Sequence, residues 1–248
     1  MKLSEHMSRS GVGLFRWRSY LPLVFVPFLL YAAFRGEQVE AVMGDTFGDA
    51  YEIACIGLVI LGQGLRIWTV GHVPRGTSGR NVQGQLAETL NTTGIYSVVR
   101  NPLYLANCLM YLGVALFSQN LFVALVVVLV LVPYYERIIS AEEVFLSEKF
   151  GATYGDWSER TPAILPKLSG WVPSALTFCW RTVIRREQSS IYGAVVVLYL
   201  MELGLHHLGT WSEPMNPIWH WTLGLATVLE IAAFLIKTRT RLLSVPER

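Results

Sequence analysis

The sequence predicts an all-α fold: a polytopic membrane helical bundle of about six transmembrane helices with both termini cytoplasmic. Three observations carry this reading: an apolar excess, six apolar runs near spanning length, and basic residues confined to alternate connections. Hydrophobic residues make up 52% of the 248 and charged residues 15%, against roughly 25% charged in soluble domains. That is more apolar surface than one soluble core can hide.

Crossing hydrocarbon takes about 20 helical residues. The runs Tyr20–Phe34, Glu52–Val70, Pro102–Phe117, Leu121–Ile139, Ile191–Leu208 and Pro217–Ile236 meet or approach that length. The first and third are short and lean on flanking residues. Basic residues precede the first run, as in a signal peptide, but no small-x-small cleavage pattern closes it, so it reads as a retained span.

Lys and Arg accumulate on the cytoplasmic side of membrane helices. Lys2, Arg9, Arg16 and Arg18 precede the first span, and Arg75, Arg80 and Arg100 lie between the second and third. Arg137, Lys149, Arg160, Lys167, Arg181, Arg185 and Arg186 follow the fourth, and Lys237, Arg239, Arg241 and Arg248 follow the sixth. The opposite side keeps Arg35 among Glu37, Glu40, Asp45, Asp49 and Glu213. Only an even number of spans fits this alternation. The net charge of +2 hides the sidedness, and no basic stripe or recognition motif points to nucleic acid. Cys55, Cys108 and Cys179 have no paired spacing for a disulfide framework or a zinc site, so no metal is expected and they read as core residues.

Three segments follow: 1–89, with two spans and a polar loop; 90–166, with two spans and the polar motifs; and 167–248, with two further spans. Ser174–Gln188 mixes Phe178, Trp180 and Ile184 with arginines. It reads either as an amphipathic helix in the headgroup layer or as a loop with ordinary positive-inside charge.

The motif segment enters its first helix through Gly94, Tyr96 and Arg100-Asn101-Pro102-x-Tyr104. Asn101 suits the helix N-cap and Pro102 the first helical position. A helix N-terminus favours a carboxylate or phosphate. The fourth span returns to the same side with the opposite polarity, reinforced by Glu136, Glu142 and Glu143. A ligand with an anionic and a cationic end suits both, and S-adenosylmethionine has that form. On spacing alone, Glu142 and Glu143 also fit solvated helix charges beside Lys149.

The blocks Gly94-x-Tyr96-x3-Arg100-Asn101-Pro102-x-Tyr104, Glu142-Glu143-x2-Leu146-x3-Phe150-Gly151-x2-Tyr154 and Arg160-x-Pro162-x3-Pro166 resemble the isoprenylcysteine carboxyl methyltransferase family and the related phospholipid methyltransferases. The resemblance implies a S-adenosyl-L-methionine-dependent O-methyltransferase of a small helical membrane fold. It gives cofactor-binding roles to Gly94, Tyr96, Asn101, Pro102, Tyr104, Glu142, Glu143 and Tyr154, and catalytic roles to Arg100, Arg160 and Glu143. Asn101 replaces the family's usual histidine, and Ala106 stands where glycine is common. Asparagine donates a hydrogen bond but is no titrating base, which suits an acceptor already anionic at neutral pH.

Thr77-Ser78-Gly79-Arg80-Asn81 and the run to Gly94 are similar to the bacterial branch that methylates the phosphate of lipid A, implying a bacterial inner membrane and a site at its cytoplasmic face. Arg75, Arg80 and Arg160 are then the substrate-binding arginines, for which positive-inside charge is the plainer account of the first two. The expected partner is a membrane lipid, with no nucleic acid. Methylation of a carboxylate or amine on a lipid or prenyl substrate, an NADPH-dependent reductase and a transporter are the competing readings. Glu202, His206 and His207 fall at the far end of the fifth span and read as interfacial packing; Glu230 is a candidate partner for Arg66.

Overall fold

The computed structural model describes residues 3–35, 38–74, 87–208 and 215–245. The described chain forms helices α1 (Leu3–Trp17), α2 (Leu21–Arg35), α3 (Gln38–Met43), α4 (Asp45–Gly71), α5 (Pro102–Phe117), α6 (Leu121–Phe150), α7 (Ala152–Arg160), α8 (Trp180–Leu208) and α9 (Ile218–Arg239). No strand longer than an isolated bridge occurs among the described residues. Five apolar helical stretches are long enough to cross a membrane, and α5 is a shorter sixth. The chain is an all-α polytopic membrane bundle.

Close backbone packing joins α4 to α5. A Cβ on Gly62 would meet the Ala106 carbonyl at 2.6 Å, and one on Gly113 the Val59 side chain at 2.7 Å and the Cys55 carbonyl at 2.9 Å. Between membrane helices, where lipid is as apolar as leucine, such small-residue contacts supply the attraction that hydrophobicity cannot. Ala106, the departure from the family's glycine, is fully buried at this seam.

The α5–α6 hairpin closes through buried Ser118, Gln119 and Asn120. Asn120 caps α6 by accepting from the Val123 amide at 3.3 Å, and Gln119 takes φ 52°. Along α6, Val123, Val127, Leu131, Tyr135 and Ile138 are buried, while Leu121, Leu125, Leu129 and Val132 face outward. This period of three to four is that of a helix with one packed face and one lipid face.

Helix α6 runs eleven residues beyond the apolar run, to Phe150, and Gly151 ends it at φ 53°. The chain then folds back through α7 and crosses beneath the start of α5. There the Arg100 and Asn101 amides donate to Pro162 and Ala163 (2.9 and 3.2 Å), and Lys167 donates to Val98 (2.9 Å). These bonds hold two sequence-distant motif blocks side by side. On the other flank α1 packs along α6, with Gly11 against the Arg137 backbone.

Ser174–Gln188 is not one element: its residues before Trp180 are not helical, and the rest is not a separate helix. Residues 180–190 are the opening turns of one continuous helix to Leu208. Nothing between Gln188 and Ile191 breaks a helix, and inward-facing Glu187 and Ser190 bond Gln63 of α4, drawing those turns into the bundle. Helix α9 packs on α8 and buries none of its residues, as suits a lipid-facing span.

Candidate functional site

A cavity of about 910 Å³ opens where α5 begins and α6 leaves its apolar stretch. Tyr96, Arg100, Asn101, Pro102, Tyr104 and Glu142 all line it, so the start of α5 and the polar end of α6 share one space. All three segments of the chain contribute walls.

Tyr104 stands nearly buried on the first turn of α5, and its hydroxyl donates to Glu142 Oε1 at 2.9 Å. Its ring lies 5.0 Å from that of Tyr135. Arg100 links three elements: Nη1 donates to the Ser158 carbonyl at 2.9 Å, Nη2 lies 2.7 Å from Glu143, and the backbone amide holds Pro162. Its Nε is buried with no hydrogen-bond partner among the described residues. A buried guanidinium N–H left without an acceptor is costly.

Asn101 occupies the N-cap position, but its side chain caps nothing. Its Nδ2 donates instead to the Ala163 carbonyl at 3.2 Å. The expected capping bond is replaced by a tie to the crossing segment, because that segment presents its carbonyls where a cap would turn inward.

Four of the expected site residues stand off the cavity wall. Gly94, at φ 61°, donates its amide to Val172 at 2.8 Å and shapes the approach. Glu143 reaches the site through Arg100. Buried Tyr154 stacks edge-on with Trp157. Burial first, then the Glu143 carboxylate, pushes the Tyr154 hydroxyl up to about 12, so it keeps its proton. Arg160 is exposed and donates Nε to the Asp156 carbonyl at 2.9 Å. Arg75 and Arg80 lie outside the described residues.

Several wall residues escaped sequence reasoning. Trp157 lines the cavity and donates Nε1 to the Tyr96 carbonyl at 3.0 Å. Arg18, counted only as positive-inside charge, reaches the wall beside Phe15, whose ring it covers at 3.8 Å. Arg66 does not pair with Glu230. Its Nε and Nη2 donate to Glu187 at 2.7 and 3.1 Å, and its Nη1 to Asn107. A signal existed: Glu187 is the lone acid in a basic run, and it falls on one helix face with Ser190, Ala194 and Val197. Glu202 and His206, 3.5 Å apart, sit at the opposite end of α8 from this cavity.

A phospholipid methyltransferase family model matches residues 50–153. The chain is 34% identical over 167 residues to the cobalt-zinc-cadmium resistance protein CzcN of Cupriavidus metallidurans, covering 67% of this chain and 68% of that one. It is 31% identical over 167 residues to the nickel-cobalt-cadmium resistance protein NccN of Alcaligenes xylosoxydans xylosoxydans, covering 67% and 70%. It is 29% identical over 121 residues to the protein-S-isoprenylcysteine O-methyltransferase of Schizosaccharomyces pombe, covering 48% and 50%. No solved structure matches the chain.

Proposed function

This chain belongs to the isoprenylcysteine carboxyl methyltransferase and phospholipid methyltransferase family of membrane methyltransferases, and from that premise we propose that it methylates an anionic oxygen of a membrane lipid headgroup, using S-adenosylmethionine. The preferred acceptor is a phosphate of lipid A or a related lipid, and the preferred location is a bacterial inner membrane with the site at its cytoplasmic face. One observation carries the proposal above the others: Asn101 and Glu142, from separate motif blocks, line the same cavity.

The donor set fits the cofactor. The Arg100 guanidinium on the wall and the start of α5 suit a carboxylate. Glu142, oriented by Tyr104, suits a positive charge, and the Tyr104 and Tyr135 rings add aromatic surface beside it. When bound, S-adenosylmethionine supplies an electrophilic methyl group on a positively charged sulfur.

The chain's own residues supply position and dryness. Asn101 cannot take a proton, which favours a phosphate or carboxylate acceptor over an amine that must first lose one. Trp157, Leu90 and Phe145 add apolar surface to the walls around the polar residues, and holding two reactants in line can supply several kcal/mol of a barrier. Among the described residues, no three His, Cys, Asp or Glu side chains are grouped to hold a metal ion.

Calorimetric titration of the purified protein with S-adenosylhomocysteine tests the cofactor assignment. Tight NADPH binding with none for S-adenosylhomocysteine would transfer the chain to the reductases. Membranes incubated with methyl-labelled donor should carry label in a lipid fraction one methylene heavier by mass spectrometry; label in protein alone would reject the lipid acceptor.

A further inference from the structure

The cavity has a second polar centre that the cofactor reading leaves unused. Arg66 of α4 lines it, with its side chain 15% exposed, against Glu187 of α8 at 3%. Glu187 also accepts from Gln63 at 3.4 Å. A buried ion pair is weak evidence for stability, since apolar residues of the same volume hold a fold as well. Ionisable side chains kept inside a membrane protein and lining a cavity mark ligand positions.

Donor arithmetic points the same way. A guanidinium carries five N–H donors, and three bonds engage Arg66: two to Glu187 and one to Asn107. One N–H on each terminal nitrogen is left over, in a fork that Glu187 and Asn107 hold still. A held fork of that kind matches two oxygens of a phosphate or carboxylate.

Its placement suits an acceptor. Tyr104, which bonds Glu142, and Asn107, which bonds Arg66, are three residues apart on α5, a rise of about 4.5 Å. The two polar centres are therefore neighbouring turns of one wall. Beyond Arg66 the cavity becomes apolar, with Phe25 and Leu29 of α2 facing Gly193, Ala194 and Val197 of α8. A Cβ on Gly193 would meet nothing within 4 Å. Toward the far end α2 and α8 close together, where a Cβ on Gly204 would lie 3.2 Å from that of Ala33.

We infer that Arg66 anchors the oxyanion headgroup of the lipid acceptor, held in register by Asn107 and Glu187, while the lipid tail occupies the apolar chute between α2 and α8. The inference rests on the methyltransferase reading for the word acceptor, and on the cavity alone for the binding site. Helices α2 and α8 both lie outside the family-matched residues 50–153, so this chain brings the anchor's partner and both chute walls from outside that segment.

The test is calorimetric titration of the full-length protein in uncharged detergent with dioctanoyl phosphatidic acid, inorganic phosphate and, separately, S-adenosylhomocysteine. Because Arg66→Gln alone strands a buried carboxylate, the informative variant is Arg66→Gln combined with Glu187→Gln, which removes both charges and keeps the shape. Phosphatidic acid affinity should fall at least tenfold in it, with S-adenosylhomocysteine affinity within threefold of wild type. Glu187→Gln alone should tighten phosphatidic acid at least threefold, and Gly193→Leu should weaken it. Unchanged lipid affinity in the double variant, or an equal fall for both ligands, overturns the anchor. Inorganic phosphate binding as tightly as the lipid overturns the chute. Wild-type protein that ignores S-adenosylhomocysteine yet binds phosphatidic acid through Arg66 sinks the donor assignment and leaves the anchor standing.

Discussion

Glu142→Gln removes the carboxylate that a bound cation would hold ionised and changes almost nothing else. The amide keeps an oxygen where Tyr104 donates at 2.9 Å, so the wall holds its shape. A cation held beside the Glu142 carboxylate on this wall would sit about 6 Å from it or closer. With an effective dielectric of about 20, a unit charge pair at ~6 Å is worth about 2.8 kcal/mol, or roughly 100-fold in affinity. S-adenosylmethionine carries the sulfonium charge and S-adenosylhomocysteine does not, while both keep the amino-acid ammonium. If Glu142 faces the sulfonium, calorimetry should find S-adenosylmethionine weakened roughly 100-fold and S-adenosylhomocysteine by less than tenfold. Affinities for both ligands within threefold of wild type refute the claim that this carboxylate serves a cationic ligand.

Other expectations follow from packing and placement. Gly11→Val forces a branched side chain into the Arg137 backbone and should cost about 1–3 kcal/mol of overpacking, seen as a lower Tm and faster proteolysis of α1. Tyr154, held at about 12 when folded and titrating near 10 when unfolded, favours the fold below pH 10 and loses that contribution as pH rises toward 12. Tyr154→Phe should therefore flatten the alkaline part of the stability profile, and an unchanged denaturation midpoint across pH 9–12 would argue against it. His206→Ala, at the far end of α8, should keep methyl-transfer activity within twofold of wild type in a labelled-donor assay.

Hydropathy located the spans because it reports burial against lipid, a property of each segment by itself. The polar centres needed more. Glu142 and the Asn101 block were legible because helix ends carry chemistry that spacing reveals, and because one hairpin brings them to one side. Arg66 and Glu187 were not, since their pairing depends on where α8 leans, 121 residues along the chain. Asn101 shows a different failure. Its residue type predicts a cap, but the crossing carbonyl of Ala163 competes for the same side chain, and tertiary contact won over local preference.

The family-matched residues 50–153 hold Arg100, Asn101, Tyr104 and Glu142, and also Arg66 and Asn107. The cavity is unfinished without Arg18 from before that stretch and Trp157, Glu187, Gly193 and Val197 from after it. The polar groups of the donor half, Arg100, Asn101, Tyr104 and Glu142, fall within the matched segment, whereas the acceptor half borrows from α2 and α8. A swap of α8 for the corresponding helix of a relative should therefore alter which lipid is methylated and leave donor affinity within threefold. Such a chimera that lost donor binding, while keeping its Tm, would show that α8 serves the wrong half.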